Sequence, residues 1–447
     1  MIKKNIKQVF WYTFLFVVFV FSGLLLHRLN LDEVWNYGFA HNIYSGLIPY
    51  KDYNMVITPF YPFLMSLGFH VFSSNLLVMY VENAIIMVIM SYYLEKLIGK
   101  NYLVCLFAIV YSYVLMFPSY NTFLLFLYVI LLYLEKNIKN DYLIGIFLAI
   151  TFLTKHTVGL VLLLPSLYYI KDYKKVLKRV VGFIVPTCIF VIYLFINNCY
   201  REFFDLCFMG LFDFANKNGP GHKIGFIVFV IIFIINVVFV CKNKKSIINY
   251  YSLAFLSIAL PLFDYYHLCI IAISTMIMIF INKKIDLKIN LYLFFFVNVL
   301  FISVFLKIND IDFKNNYPNS LNHFEYKGIN KETTVGVQTV VDYIKDNYKN
   351  NKKVIVFNGN AYYFKLIADI PITYLDLVNY GNWGYNGSDK ILKEVKKNKN
   401  AIYILETSEL KRKSQTDQIV MKYIIDNSKK VGNIWIFDIY EFNDKEN

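Results

Sequence analysis

The sequence predicts a polytopic α-helical membrane protein of about eleven transmembrane helices, amino terminus inside and tail outside, with a small extracytoplasmic α/β domain at its carboxy-terminal end. Three observations lead there. Hydrophobic residues make up 57% of the 447 and charged residues only 17%, with 42 Phe and 38 Tyr, more apolar surface than a soluble core can hide. The apolar residues fall in runs separated by loops that alternate between basic and nearly charge-free. After residue 307 the runs stop, and short candidate strands and helices alternate instead.

The expected spans are 9–29, 76–95, 102–118, 119–134, 142–153, 157–170, 180–196, 224–240, 247–263, 266–281 and 290–307. The first is longer than a signal-peptide core and runs directly into Asp32-Glu33, so it reads as a retained span. Charge sets the orientation. Eighteen Lys and Arg fall in the segments assigned inside, against six outside (Arg28, Lys51, Lys155, Arg201, Lys217 and Lys223). The formal net charge of +14 is thereby distributed in short cytoplasmic clusters, which argues against nucleic-acid binding. None of the six cysteines has C-x-x-C spacing, so no metal framework is expected. Cys199 and Cys207 share one external loop, but free apolar packing is the preferred reading over a disulfide.

One stretch departs from simple spanning. Between Asp141 and Lys171 only Lys155 and His156 interrupt the apolar sequence, yet both flanks are basic and internal, so the chain must turn back on itself. Each arm of such a hairpin is only about 18–21 Å long, against a hydrocarbon core of roughly 30 Å. Its tip, Thr154-Lys155-His156-Thr157, is expected below the outer surface, where a cation is tolerated only in protein or a water-filled cavity.

The first external loop, about 30–75, carries helical spacing at Val34, Tyr37, Ala40, His41 and Tyr44 and a second short apolar helix after Pro59 and Pro62, both expected to lie on the membrane interface. The tail, 308–447, is expected to hold helices at 335–348, 388–397 and 415–427 and strands at 354–358, 401–406 and 434–441. Its Asn358-Gly359-Asn360 lacks dinucleotide-fingerprint spacing and is assigned no cofactor. Two domains are therefore drawn, 1–307 in the membrane and 308–447 outside it.

Ionisable residues cluster at the external span ends: Asp32, Glu33, Asp52, Glu82, Lys155, His156, Arg201, Asp205, His222, Asp264 and His267. Each alone is explained by interfacial solvation; together, from at least six segments, they point to a shared cavity. Asp32-Glu33 reads either as a helix cap or as a general base that takes the proton of an attacking hydroxyl. Lys155, helped by Arg201, His222 or Lys223, suits the charge of a departing phosphate. Glu82, inside a span, needs a partner such as Lys155. Asp264-Tyr265-Tyr266-His267 forms a tight external turn between two spans.

Three segments resemble polyprenyl-phosphate-dependent glycosyltransferases of the C-type membrane fold, the group that includes protein O-mannosyltransferases and aminoarabinose transferases. Asp32-Glu33, Gly46 to Asp52 and Thr58-Pro59-Phe60-Tyr61-Pro62 are similar to the family's acidic pair, G-x-P-Y-x-D and proline-rich turn. Leu153 to Leu160 resembles a bacterial L-x-K-Q/H-T-x-G-L, and Pro261 to Leu268 a P-x-x-D-x-x-H-L. The resemblance covers about the first 310 residues. It implies transfer of a sugar from a polyprenyl-phosphate donor to a glycan, lipid or protein acceptor at the outer face of a bacterial plasma membrane. Catalysis is assigned to Asp32, at the family's carboxylate position, and Glu33; substrate binding to Tyr50, Asp52, Glu82, Lys155, His156, Arg201, His222, Asp264 and His267. No metal ligands are assigned. The family's oligosaccharyltransferase members carry W-W-D and a first-loop D-x-D; this chain has neither, so a divalent metal is permitted but has no motif behind it. A flippase or transporter, and a polymerase or ligase of lipid-linked surface glycans, are the rival readings. The first would place its polar groups at several depths, and the second would not place its key carboxylate directly after the first span.

Overall fold

The computed structural model describes residues 2–26, 29, 31–98, 117–218, 223–282, 317–411 and 416–443. Helix α1 (Ile2–Leu26) leads into α2 (Leu31–Tyr44), α3 (Phe60–Val71) and α4 (Leu76–Ile98). After the next described residues come α5 (Tyr120–Tyr133), α6 (Asp141–Thr154), α7 (His156–Leu163) and α8 (Tyr173–Ile196). The short α9 (Tyr200–Phe204) and α10 (Gly210–Asn218) precede α11 (Lys223–Lys242), α12 (Ile247–Phe255) and α13 (Tyr265–Asn282). Among the described residues five helices are long and apolar enough to cross a membrane: Leu76–Ile98, Tyr120–Ile138, Tyr173–Ile196, Lys223–Lys242 and Tyr265–Asn282. The expected spans at 142–153, 157–170 and 247–263 appear as shorter apolar helices, and those at 102–118 and 290–307 lie almost entirely outside the described residues.

The hairpin at Lys155 is present. Asn140 starts its first arm by accepting from the Leu143 amide at 3.2 Å, a cap for an otherwise unpaired helix donor. Lys155 itself is extended (φ −150°, ψ 103°), ends α6 and precedes α7. The returning arm crosses α6 closely at Gly159, where a Cβ would stand 2.2 Å from Phe152 Cα. Small residues also let α6 and α8 touch backbone to backbone: a Cβ on Gly145 would meet the Arg179 carbonyl at 2.2 Å, and one on Gly182 the Tyr142 carbonyl at 2.3 Å. Van der Waals contact of this kind is what joins helices where no hydrophobic effect drives them together. Next to this seam, buried Arg179 grips Glu135 through two hydrogen bonds (2.6 and 3.0 Å) and Asp141 at 2.8 Å. That cluster sits at the opposite end of the bundle from Lys155.

Residues 317–443 form a four-stranded sheet of order β3-β4-β6-β5, where β3 is Val354–Phe357, β4 Ile402–Leu405, β5 Ser428–Ile434 and β6 Phe437–Phe442. β3 and β4 are parallel and the other two pairs antiparallel; a small ladder of β1 (Tyr317–Pro318) and β2 (Gly328–Ile329) stands apart. Helices α14 (Lys331–Lys349), α15 (Ala361–Ala368), α16 (Gly387–Lys397) and α17 (Gln418–Asn427) cover the sheet. The three expected helices and three expected strands all occur; α15, β1, β2 and β5 were not anticipated. β5 lacks an apolar alternation, since most of its residues are exposed on an edge strand.

The first-loop helix α2 does not lie open on an interface. Glu33, Val34, Tyr37, Phe39 and Ala40 are all buried, with Tyr362 of α15 packed edge-on against Phe39 at 5.9 Å between ring centres. The α/β region clamps onto the helical region at several further points. Trp35 donates to the Gly359 carbonyl (3.1 Å), the Gly387 amide to Asp213 (3.2 Å), and Lys390 pairs with Asp205.

The loop charges predict a labelling experiment. Cysteines introduced at Lys174 and at Asn218 are expected to react from opposite sides of the membrane; modification of both by an impermeant maleimide in intact cells would overturn the orientation.

Candidate active site

A cavity of about 370 Å³ opens where the helical region meets the α/β region, and Asp32, Lys155, Asp264 and His267 all line it. Four of the described helices begin at its wall. Leu31 and Asp32 start α2, Tyr120 starts α5, Lys155 and Thr157 flank the start of α7, and Asp264 precedes α13. Helix amino termini carry unpaired N–H groups and partial positive charge, so their convergence favours an anion.

Asp32 occupies the first turn of α2, and its backbone carbonyl accepts from the Asn36 amide at 2.6 Å. Burial raises its carboxyl above the ordinary aspartate value, with Asp264 adding to the rise and the charges of His267 and Lys155 opposing it. Asp264 behaves oppositely: burial pushes it up, but hydrogen bonds from His267 and the Lys155 charge outweigh this and leave it below the usual carboxylate range. Its Oδ1 accepts from the His267 amide (2.9 Å), capping α13, and its Oδ2 pairs with His267 Nδ1 (2.8 Å). On the other side of the ring Asn121 Nδ2 lies 3.3 Å from Nε2 and, as an amide N–H, can only donate there. Both imidazole nitrogens are thus engaged, which makes His267 a positioned wall group. The Lys155 ammonium stands 5.6 Å above the Tyr120 ring, within electrostatic reach of Asp32 and Asp264.

The other sequence-predicted residues do not join this group. Glu33 points into the protein, fully buried, and pairs with Lys327 at 3.2 Å while accepting from Tyr80 Oη at 2.6 Å. Glu82 makes no ion pair with Lys155; its carboxylate lies against Gly68 of α3, whose missing Cβ leaves the room it occupies. His156 is buried against Phe208, ring centres 4.8 Å apart, and does not line the cavity. Asp52 closes its own turn by accepting from the Ile48 amide (2.7 Å), and Tyr50 donates to the Ile57 carbonyl (2.7 Å), so both shape the first loop. Arg201 lines a separate, outward-facing cavity of about 570 Å³ with Tyr50, Glu202 and Lys390. His222 lies outside the described residues. Cys199 and Cys207 are free. Among the described residues no group of three or more His, Cys, Asp or Glu is placed to hold a metal ion.

Tyr120 and the segment Asn379-Tyr380-Gly381-Asn382, which roofs the cavity, were not anticipated. Tyr120 follows the Ser119 cap of α5, whose hydroxyl accepts from the Asn121 amide at 3.1 Å, a local signal visible in the sequence. The roof carries no such signal.

No family model and no curated protein matches the chain. Among solved structures it is similar to the crystal structure of ArnT from Cupriavidus metallidurans bound to undecaprenyl phosphate. The TM-score is 0.57 at 10% identity, covering 97% of each chain. The apo form of the same protein gives 0.55 at 10% identity, covering 98% of each chain. The chain has the C-type membrane glycosyltransferase fold. In this fold the match runs through the α/β region as well as the helices, so the tail is part of the shared architecture.

Proposed function

We propose that the chain transfers a sugar from a polyprenyl-phosphate donor to an acceptor hydroxyl at the outer face of a bacterial plasma membrane. The observation that carries the reading is one cavity in which a carboxylate of raised pKa and the half-buried Lys155 between two helices meet four helix amino termini. In the proposed step the acceptor hydroxyl gives its proton to Asp32 as its oxygen bonds to the anomeric carbon. The bond from that carbon to the phosphate oxygen breaks, and Lys155 with the helix termini meets the phosphate charge left behind. Attack opposite the leaving group inverts the anomeric centre. Asp264 and His267 hold the wall beside the sugar. The bound lipid of the ArnT structure supports a polyprenyl phosphate as the carrier.

Binding of undecaprenyl phosphate to the purified chain tests this. Lys155→Met is expected to weaken it by about 10- to 100-fold, the value of a charge-assisted contact, with little change in melting temperature. Unaltered affinity would remove Lys155 from the phosphate site, and a large fall in melting temperature with affinity kept by the folded fraction would assign it a structural role instead.

A further inference from the structure

We infer that the turn between β5 and β6, Trp435-Ile436, is a membrane-docking tip that sinks into the lipid interface beside the end of α1. Ile434 pairs with Phe437, so Trp435 and Ile436 form a two-residue hairpin loop. Such loops favour Asn, Asp and Gly, which accept positive φ and tolerate water. Here the loop holds two large apolar side chains, 39% and 50% exposed, and Trp435 adopts φ +50°, a region that bulky residues rarely enter. A turn of this composition is unfavourable in water and fits apolar surroundings.

The sheet fixes where the turn lies. Strands β3 and β4 run parallel and end at Phe357 and Leu405; β6 is antiparallel to β4, with Leu405 opposite Asp438, which puts the turn at that same end of the sheet. This end faces the helical region. Just past β3 the Gly359 carbonyl accepts from Trp35 of α2 at 3.1 Å, and Leu29, just beyond α1, lines a cavity of about 320 Å³ together with Trp435, Ile436 and Phe437. Helix α1, the expected first span, turns Phe10, Phe14, Val17 and Phe21 away from the protein, the spacing of one apolar helix face. The tip therefore continues a lipid-facing surface at the level where that helix ends. Tryptophan favours this depth, with its ring toward the apolar layer and its N–H toward the headgroups.

The tip is firmly backed. The Trp435 indole lies on Gly336 of α14, where a Cβ would stand 2.4 Å from the ring, and meets Phe437 edge-on at 6.0 Å between ring centres. Val335 of α14 adds another exposed apolar side chain beside it. The flanking charges, Lys331 and Glu332, cancel, so apolar burial rather than attraction to anionic lipid drives the docking. The α/β region is then held twice, on α2 through Trp35 and on lipid through Trp435, whatever reaction the Asp32 cavity performs.

The test uses the full chain in nanodiscs of phosphatidylcholine, either plain or brominated on the acyl carbons nearest the headgroup. Trp435→Phe supplies the background, so that the difference from wild type isolates the emission of Trp435 from that of the other tryptophans. This emission is expected to lose most of its intensity in the brominated lipid and to resist aqueous iodide, without any anionic lipid present. Ile436→Asp leaves Trp435 in place but sets a carboxylate at the tip; it should restore much of the emission in brominated lipid and raise quenching by iodide, with an unchanged melting temperature in detergent. Quenching of wild-type Trp435 by iodide and not by the brominated lipid would place the tip in water and overturn the docking. Protection from both quenchers would show it covered by protein and overturn the lipid assignment, and bromolipid quenching untouched by Ile436→Asp would remove the turn as the docking element.

Discussion

Asp32→Asn is expected to slow sugar transfer by about 10²–10⁴-fold while leaving affinity for the lipid donor close to wild type. The substitution keeps the side-chain volume and removes only the proton acceptor, and the phosphate-facing groups, Lys155 and the helix termini, are untouched. Asp32 also sets a pH dependence. Its pKa is raised by burial, and the base works only when ionised, so the rate should fall on acidification at a pH above that of an ordinary aspartate near 3.8 and recover on return. Glu33→Gln is the comparison. It breaks the buried pair with Lys327, so it is expected to lower melting temperature; if Asp32→Asn does not slow transfer, Asp32 only caps α2 and the enzyme reading loses its main support.

Lys327→Met is expected to be the most destabilising single change, by about 3–5 kcal/mol, because it strands Glu33 as an uncompensated buried charge. Lys327 and Glu33 are both fully inaccessible, and the ammonium also donates to the Gly23 carbonyl at 3.0 Å and to Tyr80 Oη at 2.5 Å. One lysine from the segment before α14 thereby ties together α1, α2 and α4. Thermal unfolding in detergent measures the effect, and replacing both partners, Lys327→Met with Glu33→Leu, should restore much of the loss, since a matched apolar pair removes the desolvation cost of both ions. If the single variant melts with the wild type, the pair does not organise the interface between the two regions.

The membrane class, the hairpin at Lys155 and the residues Asp32, Asp264 and His267 were legible in the chain because their signals are local. Run length, loop charge and the interruption of an apolar stretch by one lysine are each read within about twenty residues. Three of the four α/β-region helices and strands β3, β4 and β6 were legible for the same reason. What adjacent residues do was not. Asp32 and Glu33 are sequence neighbours on one helix, where successive side chains diverge by about 100°, so one faces the cavity and the other the interior. Only the packing of α2 between two regions decides which. The same holds for Lys327 finding Tyr80 across 247 residues, for the roof at 379–382, and for Arg201 falling into a different cavity from Lys155. Helix and strand periods say which face of an element is apolar; they carry no information about which distant segment covers it, and the candidate site is built at such a meeting of distant segments.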